Sequence, residues 1–537
     1  MADFDSIRSS DKAIESHVAN YYQRLFENKE VPLSSLLDSY RRMKSSLHRG
    51  LDGEALDLGT LSYVLARLPE TIFGTKKVVL ASSLEIFQNH HLTVKDWQRV
   101  SAKARRRLMF FNPNSETLAC LINSDSDIDD LVNCLLAFNL EWQKLAKLKI
   151  GQAIPEKLKN ILGEQWQEKL LTAQEDIDLT LLLLPETREQ YQTVVGNWWQ
   201  KASDRLLIPD WASTPVYFVS SNQHSLVNLI GGFVQKKQNE IFNHISQNYP
   251  DLDRSWDRLL EKSNQIRVND FLYYISSKYF QDNYQARVEK QSFEKDLGIK
   301  QVNVGGGLPS TLQLIPVSAL ARSEFLDPQL KTNDLSQLAQ SRAQIINIDY
   351  PLGQSAGFLL SQMLKTCRNL RGIYILGKAA ILTGSVGDIQ IPRVVFDERT
   401  GNIFRFKNSF DQLAPFRTLK TEILSDQKAV SVLGTFLENE NQLEKYLTAN
   451  FNIIEMESGP YLTALTESVK KVDQPKQQLF HLDNLPFDLG IINYASDNPL
   501  SKSLAEGSMA LAGIEPTYLA SLSIVQRIID LEKSSLF

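Results

Sequence analysis

The residues best placed to do chemistry follow apolar runs in the second half of the chain. In IINYASDNP the run ends in Ser496 and Asp497, with Pro499 close behind. A carboxylate at a strand end can be desolvated enough to carry a proton at neutral pH, as a general acid must. The same residue could instead cap the next helix. In FNIIEMESGPY two glutamates, Glu455 and Glu457, bracket Met456 directly after a β-branched run, where charge calls for a partner. In YILGKAA, Lys378 follows Gly377 at a strand end, a position from which it could meet an anion or simply be solvated. In VYFVSSNQHSLVNLI, Ser220, Ser221, Asn222, His224 and Ser225 fill the turn into a helix. Hydroxyls and backbone N–H groups at a helix start suit an anion or a ribose, and equally suit plain capping. His224 adds an imidazole fit for acid–base work, against the bland alternative of a surface histidine.

The elements that must position these residues form an alternating series. VYFVS, AQIINIDY, RGIYILG, DIQIPRVVF, KAVSVLGTF, FNIIEME and DLGIINYAS read as strands, separated by helical patterns. That alternation predicts an α/β domain over 214–537, with a mixed central sheet flanked by helices and ligands bound at the carboxyl ends of its strands. A helical insertion is expected at about 235–340. NIDYPLGQSAGFLLSQML adds a turn at Gly353 and small residues Ser355, Ala356 and Gly357 that permit close packing. Gly305–Gly307 fits no phosphate-binding fingerprint and reads as a tight turn. Residues 1–205 carry apolar positions at three- and four-residue spacing and are expected to be mostly helical. Within them, NSDSDIDD reads as a helix start, since it lacks the central Gly and final Glu of a calcium loop. Lys103, Arg105, Arg106 and Arg107 read as one solvated helix face.

Composition narrows the function classes. A chain of 537 residues exceeds one ordinary core. A net charge of -5 argues against nucleic-acid or anionic-membrane binding. Three scattered cysteines without a CxxC pair, no signal core and no long apolar run point to a reducing, cytoplasmic setting. The seven histidines are dispersed, so no metal site is expected.

Taken in order, VYFVSSNQHS, IINIDYPLGQSAGFLLSQML, YILGKAAILTGSVGDIQIP, SVLGTFLEN, IIEMESGPYL and IINYASDNP resemble the nucleoside phosphorylase superfamily, which includes purine nucleoside phosphorylases, methylthioadenosine nucleosidases and AMP nucleosidases. The resemblance spans about 214–525 and skips much of 235–340. It implies cleavage of the N-glycosidic bond of a purine nucleoside or nucleotide. Glu457 would hold ribose hydroxyls over a Met456 floor, and Asp497, in the Ser496–Asp497 pair, would protonate the leaving base. Phe436 would stack on that base. The nucleophile would sit near Ser221, Asn222, Gly377 and Lys378, with His224 as the available base. No cofactor is implied, although phosphate could serve as co-substrate. The resemblance also implies a homo-oligomer acting on a small molecule. The sequence departs from the pattern in having no arginine within Tyr374-Ile375-Leu376-Gly377 and no acidic cluster in the first turn. Hydrolysis and phosphorolysis therefore both stay open, as does a non-catalytic nucleotide-binding sensor.

Overall fold

The computed structural model describes residues 7–8, 10–27, 29–147, 155–172, 179–250, 252, 265–305, 307–331, 334–411, 421–500 and 513–535. Gly306, the middle of the expected glycine turn, and much of the segment 251–264 lie outside the described residues. Gly305 and Gly307 both adopt positive φ, as a tight turn requires.

The first part of the chain carries, beside its helices, a sheet that its periodicity does not announce. Its helices are built on a six-stranded sheet: β1 (Val31–Pro32), β2 (Lys77–Ala81), β3 (Gln98–Val100), β4 (Met109–Asn112), β5 (Thr117–Leu121) and β6 (Thr180–Leu183), in the order β1-β6-β2-β5-β4-β3. These strands are two to five residues long, too short for a period-2 signal to stand out beside strongly amphipathic helices. The helix Asp125–Ala146 shares a core with this sheet and is buried along almost its whole length. The helix Tyr191–Leu206, counted with this region in the sequence reading, contributes Val195, Trp198 and Trp199 to the core of the second sheet instead.

The second sheet has eleven strands: β7 (Val216–Ser221), β8 (Lys300–Val302), β9 (Leu312–Pro316), β10 (Gln344–Asp349), β11 (Leu370–Ile381), β12 (Ile389–Asp397), β13 (Asn402–Arg405), β14 (Ile423–Ser431), β15 (Ile453–Glu455), β16 (Leu479–His481) and β17 (Asp488–Asp497). All seven strand-like runs of the sequence are strands, and parallel and antiparallel pairings mix. Alternate residues of β7 and β11 face opposite cores: Val216, Phe218, Ile373 and Ile375 one way, Tyr217, Val219, Tyr374 and Leu376 the other. Burial on both faces is why these strands read as continuous apolar runs rather than alternating ones. Pairings β12–β14, β14–β15, β15–β11, β11–β17 and β17–β12 close five strands into a ring. The expected insertion supplies helices Gln265–Asp282 and Tyr284–Asp296 and then β8 and β9, which extend the sheet edge. Among the described residues, no helix is long and apolar enough to cross a membrane.

The small residues after Gly353 bring two helices into contact. The helix Gln354–Thr366 packs on Ser458–Lys470. A Cβ on Gly357 would lie 2.7 Å from the Pro460 carbonyl oxygen and 3.1 Å from its carbon. Backbone cannot swing aside as a side chain can, so Gly357→Ala should cost about 1–3 kcal/mol through forced separation of the helices. Denaturant unfolding would read this as a lowered midpoint; an unchanged midpoint would mean the helices have slack.

Candidate functional site

A cavity of about 650 Å³ opens at the carboxyl ends of β7, β11, β15 and β17, and the first domain covers it. Its wall includes Met456 and Glu457 after β15, Gly377 and Lys378 on β11, and Ser496 and Asp497 on β17. Six of the residues singled out from sequence therefore share one chamber.

The two glutamates around Met456 have separate tasks. Glu455 ties strand to helix: its carboxylate accepts from the backbone N–H groups of Glu457 and Ser458, both at 2.7 Å, and from the Ser431 hydroxyl. That arrangement satisfies the first orphan donors of the helix Ser458–Lys470. Glu457 lines the cavity and accepts from Gly353 N at 3.2 Å. Burial, and then the charge of Glu455, raise its pKa to about 7, with Arg105 and two backbone N–H groups opposing. Gly353 has φ +51°, and a Cβ there would fall 2.3 Å from Ser126 Oγ of the first domain. The first domain thus presses directly on the loop that holds Glu457.

On β17 the register against β11 slips between Ala379 and Ala380, so Ser496 is the extra residue of a bulge. A bulge re-aims side chains, and this one turns Ser496 and Asp497 to the wall. The Ser496 hydroxyl lies 2.9 Å from the Ala379 carbonyl and also within hydrogen-bond reach of Asp497. Gly377 is confined by its neighbour on β17: an added Cβ would meet Asn493 Oδ1 at 2.2 Å. Lys378 is exposed to the chamber. Crowding by surrounding protein lowers its ammonium pKa, Asp497 opposes that shift, and Arg67 and Arg105 add to it.

Four sequence candidates lie elsewhere. The Asn222 carboxamide caps the following helix through His224 N and Ser225 N, and the Ser221 hydroxyl donates to Asn347 Oδ1 at 2.7 Å. His224 is exposed, with Nδ1 3.1 Å from the Tyr518 hydroxyl, and forms no part of the wall. Only Ser220 of that turn reaches the cavity, where it accepts from the Tyr461 hydroxyl at 3.0 Å. Phe436 is packed into the first domain's core, edge-on to Tyr63 at 5.6 Å, because its loop is held by that domain rather than by the pocket.

Other wall residues were not foreseen. Asn493 is 1% exposed, and neither its Oδ1 nor its Nδ2 finds a protein partner. A buried, unsatisfied amide on a cavity wall is a ready contact for a ligand's polar edge. Its one sequence signal was an amide inside the apolar run GIINYA. Glu438 is buried there too, its pKa raised well above the ordinary glutamate value by burial and by the charges of Glu398 and Asp497. From the first domain come Tyr63, Arg67, Arg105, Arg106 and Arg107. The basic cluster is a loop and not a helix face: Arg105 forks onto Asp130 at 2.7 and 3.0 Å, and Arg107 bonds Asp127 and Asp130. Arg106 crosses to Asp349 at the end of β10. Among the described residues no group of three or more His, Cys, Asp or Glu could hold a metal ion.

Fold and site together define a mixed α/β protein with a small-molecule-sized cavity at strand ends, closed by a second α/β layer. The chain belongs to the family of unknown function DUF6909, which it matches over residues 33–154 and 146–530. No curated protein matches it. Among solved structures it is similar to the apo 5′-methylthioadenosine nucleosidase of Arabidopsis thaliana, at 8% identity over 60% of this chain and 96% of that one, TM-score 0.30. The adenine complex of the methylthioadenosine/S-adenosylhomocysteine nucleosidase of Colwellia psychrerythraea matches at 12% identity, 59% and 97% coverage and TM-score 0.32. A futalosine hydrolase mutant of Helicobacter pylori matches at 8% identity, 59% and 99% coverage and TM-score 0.28.

The raised pKa of Glu457 has a signed consequence for stability. Between the ordinary value of 4.5 and about 7 the folded protein keeps a proton that the unfolded chain releases. Stability from this group therefore falls as pH rises through that window and is level above it. Glu457→Gln should unfold at higher temperature than the parent at pH 8, with the difference closing near pH 5. An equal gain at both values would show that Glu457 is not held protonated.

Proposed function

We propose that this protein cleaves the N-glycosidic bond of a purine nucleoside or nucleotide, as a nucleosidase or phosphorylase. One observation carries the reading: Met456, Glu457 and Asp497 face a single cavity of about 650 Å³, with the unpaired Asn493 amide on the same wall. Breaking the bond from ribose to base leaves the electron pair on the purine and positive charge on the sugar. The purine leaves readily once a ring nitrogen is protonated, and Asp497 delivers that proton. Glu457 accepts from the ribose hydroxyls, and its carboxylate offsets the charge building on the sugar, with Met456 as the apolar surface beneath. Water or phosphate attacks the sugar carbon from the opposite face.

A second reading, a non-catalytic nucleotide sensor, is favoured by one feature. His224 stands off the cavity, so no imidazole is at hand to activate a nucleophile. The first domain, which touches the Glu457 loop, would then transmit occupancy.

Chromatography of purine nucleosides and their 5′-monophosphates, incubated with and without phosphate, separates the readings. Base release should occur and should fall about a hundredfold or more in Asp497→Asn, while ligand binding persists. Ligand binding with no release from any substrate would reject the enzyme and leave the sensor.

A further inference from the structure

Two cations on the cavity wall form no ion pair among the described residues, and they come from different domains. Arg105, Arg106 and Arg107 are all matched by Asp130, Asp349 and Asp127. Arg67, at the end of the helix Leu58–Arg67, is not. Its guanidinium carbon lies over the Tyr63 ring, 3.3 Å from the centroid, and one terminal nitrogen donates to the Tyr63 carbonyl at 3.1 Å. Its Nε is buried without any hydrogen-bond partner. The ring contact and the carbonyl bond hold the guanidinium, while Tyr63 is itself anchored across the domain boundary by a 3.0 Å bond to Thr435. Lys378 approaches from β11 and likewise has no ion pair among the described residues. The two are close enough for Arg67 to disfavour the charge on Lys378.

Two positive groups held near each other in a partly enclosed chamber repel unless an anion lies between them. A guanidinium and an ammonium on the wall of one cavity are suited to the oxygens of a tetrahedral phosphate, which accepts from both. We propose that Arg67 and Lys378 form a phosphate subsite assembled across the two domains, with the first domain supplying the guanidinium that Tyr374-Ile375-Leu376-Gly377 lacks. The phosphate has two sources, and choosing between them rests on the glycosidic reading above. Either it is the 5′-phosphate of a nucleotide substrate, or it is inorganic phosphate serving as nucleophile. The subsite itself stands on two cavity-lining cations without an ion pair among the described residues, one with an unsatisfied Nε, and does not need turnover.

The test is calorimetric titration of the full chain with inorganic phosphate, with adenosine, and with adenosine 5′-monophosphate. Phosphate should bind the parent protein, and its affinity should fall roughly tenfold or more in Arg67→Ala and in Lys378→Ala, the loss expected for a hydrogen bond to a charged group. Arg67→Lys should recover part of it, and serves as the second variant if Arg67→Ala unfolds. If phosphate competes with adenosine 5′-monophosphate and improves no binding of adenosine, the source is the nucleotide. If phosphate and adenosine bind together and base release requires phosphate, the source is the co-substrate. No phosphate binding to the parent, or equal affinity in both alanine variants, overturns the subsite. Base release is scored separately. Phosphate binding lost in the variants of a protein that releases no base retains the subsite and rejects the glycosidic reading. Base release by a parent protein that binds no phosphate does the reverse.

Discussion

The architecture of the site depends on a concentration of buried charge at the first turns of one helix. Asp125, Asp127, Asp129 and Asp130 open the helix Asp125–Ala146, and each is matched by arginine: Arg188, Arg107, Arg399, and Arg105 with Arg107. The helix dipole favours carboxylates there, yet burying them unpaired would cost several kcal/mol, so the arginines are obligatory. Arg105 and Arg107 belong to a loop with little regular structure, and the ion pairs give it one conformation. That same loop then forms part of the cavity wall. Arg399 comes from the second sheet, and both Tyr21 and Tyr22 hydroxyls join it on Asp129. The lattice therefore does three jobs together. It starts the helix, shapes the basic loop, and fixes one domain against the other.

From that docking the rest of the chamber follows. Ser126, on the same helix turn, leaves room only for glycine at 353, and Gly353 N holds Glu457. Gln354 reaches back to Asp125 N at 3.1 Å, and Ser355 to Ser124 at 3.2 Å. On the far side, Ser46 N bonds the Glu438 carbonyl at 2.8 Å and Asn439 bonds the Met43 carbonyl at 3.2 Å. Loops from both domains are thus cross-braced around the ends of the closed strand ring. A cavity braced on two sides changes shape in discrete steps rather than gradually, because packed interfaces have few alternative arrangements.

The sequence made the second sheet legible and the first one nearly invisible. Strands buried on both faces leave long apolar runs, so β7, β10, β11, β12, β14, β15 and β17 announce themselves, and the residues at their ends, Lys378, Glu457 and Asp497, with them. The short strands β1 to β6 carry too few residues to show a period. Arg67, Arg105 and Glu438 were beyond reach for a different reason. A charged residue on a helix end or loop is solvated by default, and only tertiary contact distant in sequence makes it a wall residue. Phe436 and His224 failed in the opposite direction. A resemblance assigned them to the pocket, whereas local packing on Tyr63 and Tyr518 holds them elsewhere.

Environment also sorts the carboxyl groups that crowd this chamber, and the sorting bears on what chemistry is open to it. Glu455 has its acceptor capacity taken by two backbone amides and a hydroxyl, so it is a structural tie. Glu438, buried beside other acids, favours its neutral form and can donate. Glu457, brought to about 7, changes charge near neutrality, so it can accept from a hydroxyl while ionised. Asp497 lies close enough to Lys378 and Glu438 for its charge to bear on both. Glu457 feels the charge of Glu455, and Glu438 that of Glu398, so within each pair a proton leaving one group alters its neighbour, and the pocket can hold a neutral donor and a titrating acceptor side by side.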